Sequence, residues 1–133
     1  MKNLHEFIAK DSYAKYLGIE FVEFSEDTGT ATAKLLIEDC HTNSLGTVHG
    51  GVIFSLADSV FAVASNSHDG LAMAINVSMS YFKSVTKGTL TATATEMSLN
   101  KKLATYLVDI HDDADNRIAL FQGTVYRKSA NGE

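Results

Sequence analysis

Between Val52 and Ala64 the chain is apolar almost all round a helix: Val52, Ile53, Phe54, Leu56, Ala57, Val60, Phe61, Ala62, Val63 and Ala64 leave only Ser55, Asp58 and Ser59 as polar interruptions. Such a helix has to be covered on most of its sides. It opens at Gly50 and Gly51, runs to about Ser67, and is ended by His68, Asp69 and Gly70. The rest of the chain reads at other periods. Leu4, Phe7 and Ile8 have helical spacing, and the stretch from Leu4 to Leu17 predicts a short amphipathic helix broken near Asp11 and Ser12 and stopped by Gly18. Ile19 to Phe24 and Thr30 to Ile37 read as two strands of a hairpin, turned at Ser25, Glu26, Asp27, Thr28 and Gly29. His41 to Val48 is a polar loop.

Four strand-like runs follow the long helix: Leu71 to Phe82, Thr89 to Met97, Ala104 to His111 and Arg117 to Arg127. The alternation Thr89, Leu90, Thr91, Ala92, Thr93, Ala94, Thr95 has period two, one face polar and one apolar. Short turns join these runs, which predicts an antiparallel meander. Helix, two strands, long helix and four strands fit one curved sheet wrapped around one helix, an α+β fold in a single domain spanning 1–133.

Composition narrows the function. The chain has 133 residues, of which 45% are hydrophobic and 20% charged, enough for one ordinary core. A net charge of −5 is the wrong sign for a nucleic-acid or anionic-membrane partner. Cys40 is the only cysteine, so no internal disulfide forms, and a lone thiol fits a reducing compartment. No secretory signal stands at Met1 to Lys10, and the Val52 to Ala64 run is too short and too polar to span a bilayer. A soluble, cytoplasmic protein is expected. No His pair has metal-ligand spacing, and His41 beside Cys40 has no second pair to complete a zinc site. No cofactor is expected.

The chemistry concentrates between His49 and Asp58. A carboxylate at Asp58, inside an apolar helix with no Lys or Arg a turn away, is costly to desolvate. It reads either as a functional group or as a side chain facing a wet groove or a partner subunit. Gly50 and Gly51 at the helix start let a ligand oxygen approach backbone N–H groups that a helix leaves unpaired and partly positive. That is a site for a polarised carbonyl. Gly50 and Asp58 are eight positions apart, which is about 12 Å along a helix axis. A base has to come within about 3 Å of its target, so one chain's Gly50 and Asp58 do not grip the same carbonyl. Two antiparallel copies of the helix would bring Gly50 of one chain near Asp58 of the other, which predicts at least a two-fold dimer if both act. Asn43 on the preceding loop can orient a water or serve its turn alone. His49 reads more readily as a capping residue than as a catalyst.

The run His41, Thr42, Asn43, Ser44, Leu45, Gly46, Thr47, Val48, His49, Gly50, Gly51, then Val52 to Asp58 and Ser59, resembles the PaaI branch of the hotdog-fold acyl-CoA thioesterases. Those proteins carry an Asn, then HGG, then an Asp eight residues beyond the first Gly. The likeness extends over nearly the whole chain, including Met79 to Ser84 and Leu90 to Glu96. It implies a hotdog fold, a dimer with its sheets joined into one, commonly a dimer of dimers, and hydrolysis of an acyl-CoA thioester. By position it makes Asp58 the general base or nucleophile and the Gly50 amide the group that polarises the carbonyl. Asn43 would place the water, and His49 would support the carbonyl or sulfur side. Gly51, Lys83 and a polar residue of the third strand, Asn76 or Ser78, would touch substrate. Lys83, Lys101, Lys102 and Arg127 are candidates for the CoA phosphates. The family's proline after the basic residue of that strand is replaced here by Ser84. The acyl group is left open; Phe54, Phe61, Tyr81 and Phe82 are the aromatic candidates for its pocket. Two other readings compete: a non-catalytic acyl-CoA-binding module of the same fold, and a hotdog dehydratase, for which His49 is poorly placed.

Overall fold

The computed structural model describes residues 3–25 and 28–129. Glu26 and Asp27 of the expected hairpin turn, and Met1 and Lys2, lie outside the described residues. The N-terminal helix is broken where the sequence suggested, into α1 (Leu4–Ala9) and α2 (Ser12–Leu17). Asp11 causes the break: its side chain accepts from the Ala14 N–H and caps α2, while its backbone leaves the helical region. Gly18, at φ +90°, closes α2 in the left-handed conformation that favours glycine. Strands β1 (Glu20–Phe24) and β2 (Ala31–Leu36) form the expected hairpin. The long helix α3 (Gly50–Ser65) follows, ending two residues earlier than expected because Asn66 takes the cap. Then come β3 (Leu71–Tyr81), β4 (Thr89–Leu99), β5 (Leu103–His111) and β6 (Arg117–Lys128).

All six strands form one antiparallel sheet in the order β1-β2-β4-β5-β6-β3. The meander expected for all four later strands holds only for β4, β5 and β6. Strand β3 pairs with β6 at the far edge, because α3 carries the chain across the sheet before β3 begins. The return segment passes beneath the start of α3, where Val85 O accepts from the Val48 N–H at 2.8 Å. This crossing places the end of β3 beside the first turn of α3.

The sheet curves around α3, and small side chains let it close in. Ala31, Ala33, Ala92 and Ala94 face inward and are fully buried, while the intervening threonines face out. Leu56, Val60 and Phe61 fill the space beneath, and burial of such side chains contributes roughly 1.5–3 kcal/mol each. Phe61 packs on Tyr106 and Phe121, and Phe54 on Phe121. Gly123 on β6 leaves the room that the Phe61 ring occupies: a Cβ there would lie 2.6 Å from Phe61 Cζ. A strand alanine normally gains over glycine, but here the clash decides. Gly123→Ala is expected to lower the unfolding free energy in urea by roughly 1–3 kcal/mol, the cost of overpacking a filled core.

At the far end of the core, Glu96 Oε1 accepts from the Tyr106 hydroxyl and meets His68 Nε2, both at 2.6 Å. Burial first, then the bond to Glu96, pushes the Tyr106 phenol well up, so it stays a donor. This network fastens the α3–β3 connection to β4 and β5.

Candidate active site

The loop before α3 is tied down on several sides. His41 is buried, its Nδ1 accepting from the Glu38 N–H and its Nε2 donating to Leu17 O at 2.8 Å. Both ring nitrogens are thus spent on the backbone, which removes His41 as a metal ligand. Among the described residues no group of three His, Cys, Asp or Glu side chains is placed to hold a metal. Asn43 Oδ1 accepts from Leu45 N, Thr47 N and Thr47 Oγ1 at 2.9–3.2 Å. Its carbonyl oxygen is occupied by the loop, so only the Nδ2 donors remain for a ligand or water.

His49 is the N-cap of α3. Its backbone N–H donates to His41 O at 2.8 Å, and its Nδ1 accepts from the Gly51 N–H at 2.9 Å. An accepting Nδ1 in a neutral ring puts the proton on Nε2, which is left as an exposed donor. The same bond corrects one expectation. Two free glycine N–H groups were anticipated at the helix start, but the Gly51 N–H is already used. Gly51 matters for its missing side chain instead, since a Cβ would press on His49 Nδ1 at 3.1 Å. The Gly50 N–H has no hydrogen-bond partner among the described residues.

Gly50 opens onto a cleft of about 310 Å³, lined by Val48, Ile53, Tyr81, Phe82, Lys83 and Ser84 besides Gly50 itself. Of the four aromatic candidates for the acyl pocket, Tyr81 and Phe82 line this cleft, while Phe54 and Phe61 do not; a bond from Tyr81 to the helix start was not among the expectations. Its hydroxyl donates to Gly50 O at 3.0 Å, and its ring stands 3.5–3.6 Å from where a Cβ on Gly50 would be. Its register sets its side of the sheet: Met79 pairs with Phe121 and Tyr81 with Ala119, so both stand on the face that carries α3. By the same rule Asn76, opposite Thr124, and Ser78, opposite Gln122, lie on the outer face of the sheet. The structure brings Lys83 to the cleft with Gly50 but leaves Asn76 and Ser78 away from it. Lys83 also lies close enough to help hold the Asp112 carboxyl below its ordinary range, after the larger effect of hydrogen bonds within that loop. A larger cleft, about 490 Å³, sits between the N-terminal helices and β1, and none of its lining residues belongs to α3 or the loop before it.

Asp58 is exposed on the single chain, which corrects the expectation of a buried carboxylate. Asp58 and Gly51 are the exposed residues of α3, flanked by the half-buried Phe54, Ser55 and Ala62. Nearby, Tyr13 on α2 shares a 3.0 Å hydrogen bond with Ser55. Protein atoms still crowd Asp58 enough that desolvation raises its pKa, and the Asp11 carboxylate adds to the rise. A carboxyl whose pKa is raised by crowding and by a second carboxylate is a functional candidate, although on the single chain Asp58 lines neither of these clefts.

A family model described as the thioesterase superfamily matches residues 45–119, which span the whole of α3 and most of the sheet. The chain belongs to this superfamily. Its fold is the hotdog fold. The thioesterase is 44% identical over 118 residues to a protein of Archaeoglobus fulgidus, an alignment that covers 88% of this chain and 75% of the relative. It is 34% identical over 127 residues to the acyl-coenzyme A thioesterase PaaI of Escherichia coli K12, covering 95% and 89%. The structure of the E. coli PaaI protein from the phenylacetic acid degradation operon superposes with a TM-score of 0.89 at 32% identity, covering 94% of this chain and 90% of that one. No helix of this thioesterase, among the described residues, is long and apolar enough to cross a membrane.

Proposed function

We propose that this thioesterase hydrolyses an acyl-CoA to the free acid and CoA, at sites that two subunits share. The observation that carries the reading is the Gly50 N–H at the start of α3, which has no partner among the described residues and belongs to a side-chain-free residue lining a mostly apolar cleft. The thioester carbonyl oxygen takes that N–H. The Nδ2 group of Asn43 donates to the attacking water, and the Nε2–H of His49 donates on the carbonyl or sulfur side. Asp58 acts as general base or as nucleophile. As base it takes one proton from water while the hydroxide oxygen bonds to the carbonyl carbon. The tetrahedral oxyanion then collapses, the C–S bond breaks, and the CoA thiolate receives the proton from Asp58. The relationship to an acyl-coenzyme A thioesterase supports the substrate class.

Two features support a dimer. Strand β3 is a sheet edge of eleven residues, and Leu71, Met73 and Ile75 on it are all more than half exposed. A long, apolar, unpaired edge invites another strand. Pairing two copies along β3 also runs their α3 helices antiparallel and moves Asp58 of one toward Gly50 of the other. Resemblance to the PaaI branch extends this to a dimer of dimers. The proposed cations for the CoA phosphates are Lys83 on the cleft wall and Lys101, Lys102 and Arg127 at the other end of the sheet. In a pair joined along β3 the latter end of one subunit approaches its partner's cleft. Tyr81 and Phe82 would face the acyl group, which favours an aromatic one.

The test is thiol release from phenylacetyl-, benzoyl- and medium-chain acyl-CoA. Turnover is expected, highest on an aromatic acyl group. Tight acyl-CoA binding with no thiol released would make the protein a binding module instead.

A further inference from the structure

The geometry points to Tyr81 as the positioning residue of the carbonyl-activating amide, acting through a hydrogen bond that pins the first turn of α3 to the end of β3. This rests on the reading of the Gly50 N–H as the donor to the thioester carbonyl. Two consecutive glycines are the least restrained way to begin a helix. First-turn residues also lack half of their helical hydrogen bonds. An oxyanion donor has to be preorganised, because a donor that moves as charge develops loses its advantage over water.

Besides the bonds that His49 O and Gly51 O accept from residues of the helix, three bonds hold this turn, two from the loop before it and one from the sheet. His41 O receives the His49 N–H at 2.8 Å, and His49 Nδ1 receives the Gly51 N–H at 2.9 Å. Both belong to the loop that leads into the helix. The third, from Tyr81 Oη to Gly50 O at 3.0 Å, ties the turn to the sheet. It acts on Gly50 itself, and it fixes the turn against the layer that forms the cleft wall. The ring adds a steric restraint, lying in van der Waals contact with the space a side chain on Gly50 would fill. The phenol has one proton, and Gly50 O takes it. Tyr81 is therefore not placed to protonate a leaving thiolate. Burial raises its pKa, so the donor persists through the working pH range.

Tyr81→Phe keeps the ring contacts and removes only the bond. Expected are a fall in kcat of about tenfold, KM within about twofold of wild type, and a melting temperature lowered by only a few degrees. The backbone 15N order parameters of Gly50 and Gly51 should fall in the same variant. That second measurement needs no turnover, so it tests the pin even if acyl-CoA proves not to be the substrate. Wild-type kcat, a loss confined to KM, or unaltered order parameters at Gly50 would each overturn the assignment. Tyr81→Leu, lacking ring and hydroxyl, should lose kcat to the same extent and raise KM as well; wild-type kcat there overturns it equally.

Discussion

Asp58→Asn is expected to lower kcat for acyl-CoA hydrolysis by about 100- to 10,000-fold while KM moves little. Water is a poor nucleophile until a base takes its proton, and an amide cannot do so. No second carboxylate can step in from the same helix, since Asp58 is the only acidic residue between Gly50 and Ser65. In the proposed site the cleft walls and the cations bind the substrate, so KM should be spared. Stopped-time thiol release across a substrate series reads both constants. A variant that retains wild-type kcat would remove Asp58 from the chemistry.

The same substitution has a stability signature with a definite sign. Burial, and then Asp11, raise the Asp58 pKa above its ordinary value of 3.8. The folded chain therefore binds the proton more tightly than the unfolded one. Stability from this group is full below the ordinary value, declines as pH rises through the raised value, and stays reduced above it. Asp58→Asn abolishes that decline. The variant should resist urea better than wild type at neutral pH, and the difference should vanish near pH 3. Exposure of Asp58 on the single chain keeps the gap small. If Asp58 is the base or nucleophile as proposed, activity needs its carboxylate, and the acidic limb of the rate profile should follow the raised pKa. Asp11→Asn should move that limb to lower pH, because an Asn caps α2 nearly as well as Asp but repels no carboxylate.

How much of this was legible in the sequence varied with the range of the interaction involved. The start of α3 was written in local chemistry: two glycines, then an apolar run. The break at Asp11 was likewise a local capping event. Partners of the strands were harder. Strands β3 to β6 all alternate, and period two says which face is buried but not which neighbour is taken. The choice of β6 for β3 is made by α3 crossing the sheet, a non-local fact. Asp58 misled for a related reason. An apolar helix reads as covered on most sides, and the side left over holds Gly51 and Asp58, exposed on the single chain beside the half-buried Phe54, Ser55 and Ala62, as a surface meant for another subunit would be. Tyr81 was legible as an aromatic pocket candidate, but its bond was not, because the partner is a backbone carbonyl 31 residues away. His49 was read correctly as a cap, and only the geometry could show that the cap consumes the Gly51 N–H.

Gly50→Pro tests the other half of the site with little disturbance to the fold. Proline is well suited to the first position of a helix, where its fixed φ fits and the missing N–H had no helical partner. Residues before proline favour extended backbone, and His49 is already at φ −60°, ψ 132°. Loss of a single oxyanion donor is expected to cut kcat by about 100- to 1,000-fold, with folding retained. Mixing then separates one-chain from two-chain sites. Purified Gly50→Pro and Asp58→Asn proteins, each nearly inactive, are unfolded together and refolded. If Gly50 of one subunit works with Asp58 of the other, each mixed dimer holds one intact site and one doubly damaged site. Random pairing makes half the dimers mixed, so activity should return to about a quarter of wild type per subunit. If both residues serve within one chain, no pairing restores a site and the mixture stays at the level of the variants. Recovery far below that quarter in a mixture shown to contain mixed dimers would place Gly50 and Asp58 in the same subunit's chemistry. The 12 Å that eight helical residues span would then have to be bridged by the substrate itself.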